Sequence, residues 1–155
     1  MNEGHRLPQE TFRTRLPVRY RLGFLGLGVL VTVGITWAMV TDGMNGATLV
    51  ATLFGAVFLY IILMQVTVRL EEREVSIKVG GIFTTSIPYR QIDAVSPGQS
   101  TGIGAGMGLR LMPNGTTGYL VGGPSVRITT GRTAVLVSSK HPEKLSEAIS
   151  IMPDS

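Results

Sequence analysis

The sequence predicts an α+β membrane protein in which an apolar helical hairpin precedes a β-rich tail closed by a helix. Three observations predict it. Residues 22–41 and 43–68 contain no Asp, Glu, Lys or Arg, and Asp42 is the only charge between them. From residue 69 onward apolar residues alternate with polar ones instead of recurring at helical spacing. The last segment, residues 142–152, returns to helical spacing.

A helix rises about 1.5 Å per residue, so either charge-free stretch can cross a hydrocarbon core about 30 Å thick. A helix buried in a soluble domain usually keeps one polar face. These stretches offer no charged face, so the expected spans are 22–41 and 47–68, joined by a turn over 41–47. The chain has a formal charge of +4. Residues 1–21 supply most of it, with Arg6, Arg13, Arg15, Arg19 and Arg21 set against Glu3 and Glu10. The basicity therefore belongs to an N-terminal arm and does not mark a nucleic-acid-binding domain. Pro8 and Pro17 and a lack of apolar periodicity suggest that the arm is flexible and lies on lipid headgroups.

Arginines before the first span and none in the turn place both termini in the cytoplasm. An Arg-rich and then apolar opening is also a signal-peptide pattern, but no small-x-small site follows the first span and a second span comes at once. With no cysteine, disulfides, thiolate metal sites and cysteine nucleophiles are excluded. No ionisable residue lies inside either span, which argues against an ion pathway.

Small residues recur four apart: Gly34 and Ala38 on the first helix, Ala47, Ala51 and Gly55 on the second. With the turn centred near Asp42 and Gly43, Ala38 meets Ala47 and Gly34 meets Ala51 at matched depth. Small faces let backbones approach closely in lipid, so these five residues are the expected packing face of the hairpin. The same ladder could serve a homo-oligomer.

In the tail, Val75, Ile77 and Val79 alternate with Ser76 and Lys78, a half-buried strand. Gly80-Gly81 turns the chain into a partner over 82–87. Residues 88–95 read as a third strand and 98–108, with five glycines, as a loop. A strand over 108–112, the turn Pro113-Asn114-Gly115 and a return over 118–121 follow. Residues 126–130 and 133–138 make another hairpin around Gly131-Arg132. Pro142 suits a first helical position, and Leu145, Ala148, Ile149 and Met152 form one apolar stripe. The expected domains are thus the arm (1–21), the hairpin (22–68), one cytoplasmic domain (69–152) and a short tail (153–155).

The stretches Ile87-Pro88-Tyr89, Ile92-Asp93-Ala94-Val95, Gly108-Leu109-Arg110, Val126-Arg127-Ile128 and Val135-Leu136-Val137-Ser138-Ser139 occur in this order before Pro142-Glu143-Lys144-Leu145. In that order they resemble the small bacterial membrane proteins that carry a pleckstrin-homology-like (bacterial PH) domain. His141 departs from the acidic or polar cap usual at that helix. The resemblance implies a bent antiparallel sheet or half-barrel plugged by the C-terminal helix, with no catalytic activity and no cofactor.

Candidate chemistry is sparse. The glycine-rich run Thr101-Gly-Ile-Gly-Ala-Gly-Met-Gly108 lacks the Lys-Ser/Thr ending of a phosphate loop, and Met107 stands where a dinucleotide fingerprint needs glycine. His5 and His141 have no Ser/Asp partners and no metal-ligand spacing. Arg90, Arg110, Arg127 and Arg132, spread over strands and turns, are the candidate residues for an anionic headgroup or an acidic partner. The expectation is a non-enzymatic, membrane-tethered module binding another membrane or membrane-associated protein. Two alternatives stand beside it: an accessory subunit packing through its hairpin, and a domain binding anionic lipid headgroups.

Overall fold

In the structure, a computed structural model describing residues 10–102, 104 and 107–152, the chain leaves a β-sheet, forms two apolar helices and re-enters that sheet beside the strand it left. The exit strand is β1 (Thr11–Arg15), followed by α1 (Val18–Thr41), α2 (Ala47–Leu63) and the return strand β2 (Gln65–Leu70). Then come β3 (Glu74–Val79), β4 (Phe83–Pro88), a 3-10 turn (Tyr89–Gln91), β5 (Ala94–Thr101), β6 (Gly108–Met112), β7 (Thr116–Leu120), β8 (Gly123–Thr130), β9 (Thr133–Ser138) and α3 (Pro142–Ile151). The chain forms two units: Leu16–Met64, and Met1–Arg15 together with Gln65–Ser155. His5, Arg6, the loop positions Ile103, Ala105 and Gly106, and the tail 153–155 lie outside the described residues.

Two expectations are corrected at the junctions. Residues 11–15 are a strand and not part of an arm: Thr11 pairs with Arg69, Arg13 with Thr67 and Arg15 with Gln65. Phe12 and Thr14 turn to the side of buried Val66 and Val68, and the Thr14 hydroxyl accepts the Lys140 amide at 3.1 Å. The second helix ends at Leu63 rather than Val68, because Val66, Thr67 and Val68 are β-branched and find partners on both flanks. The β domain therefore draws on both sides of the helices and does not begin at residue 69. The first helix starts at Val18 rather than Leu22, with Arg19 and Arg21 in its opening turn.

Sheet A runs β1-β2-β3-β4, all antiparallel. One face carries Val66, Val68, Leu70, Val75, Ile77 and Val79, all buried. Burying each such side chain fully contributes about 1.5–3 kcal/mol. Sheet B runs β5-β8-β9-β7-β6. The expected third strand over 88–95 is split, since Pro88 leads into the 3-10 turn and β5 starts only at Ala94. The expected loop over 98–108 is shorter, because β5 runs to Thr101 with a register shift between Gly98 and Thr101. The resemblance implies a wholly antiparallel sheet. Here β9 instead slots between β8 and β7 and runs parallel to β7. Buried Val137 and Leu136 suit that central place, and the Ser138 hydroxyl accepts the Val121 amide at 3.1 Å where the chain crosses over it. Leu145 and Ile149 of α3 are buried, and α3 packs on β5 and β8 as its apolar stripe predicts.

The helices α1 and α2 pack on one another. Their close approach is at Gly28, where an added Cβ would lie 2.8 Å from the Phe58 ring. Gly28 and Phe58 lie equally far from Gly43, but the face that meets there is not the expected one. Gly34, Ala38 and Gly55 are exposed, Ala51 is half-buried, and only Ala47 of the five small residues is buried. An added Cβ at Gly34 or Gly55 would meet nothing. Small size alone does not choose a face; the bulk of Phe58 needs a hollow opposite it, and Gly28 supplies one. Only 6% of the apolar window of α1 is buried, unlike a soluble core helix. α1 is long and apolar enough to cross a membrane, while α2 is apolar but shorter, at 17 residues.

Two outcomes follow from these pairings. Replacing residues 16–64 with Asn-Gly should leave a soluble, cooperatively folding β domain, because Arg15 and Gln65 are already neighbours and the dipeptide suits a tight hairpin. A fragment beginning at Arg69, which lacks β1 and most of β2, should not show a cooperative urea transition by circular dichroism. Within the helical pair, Gly28→Leu should lower stability in detergent by about 1–3 kcal/mol through overpacking. Gly34→Leu should shift the same thermal melt by less than about 0.5 kcal/mol.

Candidate functional site

The strand order decides which of the four tail arginines can act together. Cross-strand pairing sets Ser96, Arg127, Leu136, Gly118 and Arg110 in one row of sheet B, on one face. Arg127 and Arg110 are three strand spacings apart in it, about 14 Å, with Leu136 between them. One phosphate-sized anion cannot touch both. Arg132 sits in the β8–β9 turn, whose Gly131 amide donates to the Asp93 carboxylate, and Arg90 lies in the 3-10 turn. All four are exposed and they do not form one site.

A denser set of cations lies on the outer face of sheet A. Alternation sends Val66, Val68 and Leu70 inward and Gln65, Thr67 and Arg69 outward. Register then aligns Arg13, Thr67, Lys78 and Thr84 in one row and Thr11, Arg69, Ser76 and Ser86 in the next. Arg13 and Lys78 flank β2 at about 10 Å, and Arg69 lies one step along between them. They border a groove of about 420 Å³ whose other walls are Gln65, Thr67, Ser76, Gly81 and Thr84. Among the described residues none of these three cations is held in an ion pair, so the groove presents free donors to an anion. The alternation Thr-Phe-Arg-Thr-Arg at 11–15 was the signal that could have revealed it.

The end of sheet A at which the chain exits and returns has its own chemistry. The Gly80 amide donates to the Gln65 carbonyl at 3.0 Å, and Gln65 pairs with Arg15. The β3–β4 turn therefore stands at that same end, with Gly80 and Gly81 at φ of 60° and 77°, angles costly for other residues. Just past the turn, Ile82 is 69% and Phe83 45% exposed. The opposite end carries Glu71, Glu72 and Glu74.

The outer strand of sheet B offers a different surface. Among the described residues β6 pairs only with β7 and leaves its other edge open. Leu111 is 86% exposed on it and Leu109 also faces solvent. Such an edge is a template for a further strand unless it is blunted.

One buried polar group has no partner. Tyr89 is 6% exposed and its hydroxyl makes no hydrogen bond among the described residues. Burial, and then the negative charge of Glu71, push its phenol above the ordinary value. A cavity of about 260 Å³ beside it is lined by Ile92, Asp93, Val95, Ile149 and Ser150. His141 caps α3 without a side-chain bond. Among the described residues no group of three His, Asp or Glu side chains could hold a metal ion. The chain matches no protein-family model, no curated protein and no solved structure.

Tyr89 gives a pH-dependent outcome. Its phenol ionises more readily in the unfolded chain than in the folded one. The stability it contributes is therefore complete below the unfolded value near pH 10 and lost as pH rises through the raised folded value. Tyr89→Phe should flatten the alkaline loss of stability in urea melts. At neutral pH it should be neutral or stabilising by about 1 kcal/mol, because an unpaired buried hydroxyl is removed.

Proposed function

We propose that this chain is an integral membrane protein whose two helices cross the bilayer as a pair and tether a cytoplasmic β domain. That domain, of the PH-like kind its sequence resembles, acts as a non-enzymatic binding module for another membrane-associated protein. The observation that carries the reading is the β1–β2 ladder. Thr11–Arg15 and Gln65–Leu70 bracket the helices and are hydrogen-bonded neighbours, so the chain must return to the side it left. If α1 crosses, α2 crosses too. Its 17 residues rise about 25 Å, and Met64 on one side and Met44 on the other extend the apolar reach toward a core of about 30 Å.

The outside of the helical pair supports the same reading. Leu22, Leu30, Val33, Leu49, Leu53 and Leu63 are all exposed, an apolar surface far larger than soluble monomers show. Helices satisfy their own backbone groups, as hydrocarbon requires. Tyr20 and Trp37 lie near opposite ends of α1, where amphipathic rings favour the two interfaces. Arginines at 13, 15, 19, 21, 69 and 73 and none between Asp42 and Gly46 favour a cytoplasmic domain.

The open edge of β6 is the surface best suited to a protein partner. An extended segment can add to it as a sixth strand, with Leu109 and Leu111 supplying apolar contact. The native chain has no cysteine, so single cysteines report topology cleanly. A cysteine at Asn45 should react with an impermeant maleimide only from the far side, and one at Glu143 only from the cytoplasmic side. A photocrosslinker at Leu111 should capture one protein in native membranes, and Leu109→Lys should abolish that adduct without unfolding the domain. Equal capture from Leu111 and from Arg127 would sink the edge as the binding surface.

A further inference from the structure

We infer that the turn end of sheet A is a lipid-contact surface, in which Ile82 and Phe83 enter the headgroup–acyl boundary while Arg13, Arg15 and Lys78 take the phosphates of anionic lipids. The inference rests on the membrane reading above and adds to it a lipid-contacting surface and a ligand class.

Chain length supplies the first argument. Only Leu16 and Pro17 separate Arg15 from α1, and only Met64 separates α2 from Gln65. An extended residue spans at most about 3.6 Å, so helices embedded in a bilayer hold the Arg15–Gln65 end of the sheet within about 10 Å of where they emerge. The Gly80–Ile82 turn shares that end through the bond between Gly80 and Gln65.

Exposed apolar bulk supplies the second. Ile82, at 69%, and Phe83, at 45%, project at the tip of a tight hairpin. Among the described residues no element of the β domain covers them. At a bilayer surface they face acyl chains instead of water.

Charge supplies the third. Arg15 stands at this end, and the row behind it holds Arg13 and Lys78. Thr67 and Thr84 share that row and offer hydroxyls to the same phosphate oxygens. Glu71, Glu72 and Glu74 are at the far end of the sheet, six strand residues away. The sheet is thus basic and apolar where its chain reaches the helices, while at the far end Glu10, Glu71, Glu72 and Glu74 outnumber Arg69 and Arg73, the polarity that an anionic leaflet selects. Arginine forks and the lysine ammonium suit phosphate oxygens.

The full chain carries its own control, since Trp37 is the only tryptophan. The protein is reconstituted in nanodiscs of phosphatidylglycerol and phosphatidylcholine, with either lipid brominated high on its acyl chains. In a Trp37→Phe background, Ile82→Trp should give blue-shifted emission that brominated lipid quenches. Leu111→Trp in the same background should emit as in water and resist quenching. Brominated phosphatidylglycerol should quench at position 82 more than brominated phosphatidylcholine, and Arg13→Gln with Lys78→Gln should erase that preference. If Trp37 of the native chain is quenched while the tryptophan at position 82 is not, the inference fails and the membrane reading stands. If Trp37 itself is not quenched, both fail. Quenching at position 82 without lipid preference overturns the assignment of phosphates to the basic row.

Discussion

The five cross-strand pairs between Thr11–Arg15 and Gln65–Arg69 form the strand ladder that closes the longest stretch of chain, and the rest of the molecule is arranged around that closure. Their cost is the entropy of joining two segments about fifty residues apart, which grows only slowly with length. The loop is itself ordered: two helices fold back on each other, and their ends lead into the paired strands. In exchange the ladder gives β2 a partner on both sides and completes the inward row of Val66, Val68 and Leu70. The bond from the Lys140 amide to Thr14 then ties β1 to the segment before α3, so the first strand is integral to the domain.

Within the helical pair the constraint is shape. A surface apolar on nearly all sides does not single out one face by hydrophobicity, and packing is decided by fit. Phe58 needs a hollow, and Gly28 is the residue at the right depth to provide one. The ladder of Gly34 and Ala38 points elsewhere and leaves an apolar surface exposed.

The β domain separates its surfaces by chemistry. Sheet A directs its aliphatic face to the core and its basic face outward, a partition that two-residue alternation makes unavoidable once the register is set. Sheet B buries its central strand β9 and leaves β6 as an open, apolar edge. The tail arginines at 90, 110, 127 and 132 are dispersed by this arrangement, whereas Arg13, Arg69 and Lys78, far apart in sequence, border one groove.

By itself the sequence determined what depends on near neighbours. Missing charges marked the apolar segments, alternation marked β3, the turns at Gly80-Gly81, Asn114-Gly115 and Gly131-Arg132 marked the hairpins around them, and the stripe of Leu145 and Ile149 marked α3. A charge-free run does not separate a helix from a buried strand, so residues 65–68 looked like the end of a span; only β1 and β3 beside them settle their form. Tertiary structure alone decided that residues 11–15 are a strand, that β9 runs parallel to β7, which face of α1 meets Phe58, and which cations share a groove. Each of these is a pairing between distant segments. Local side-chain periodicity carries no information about which partner edge is free, and that is settled only when the whole set of strands competes for the same neighbours.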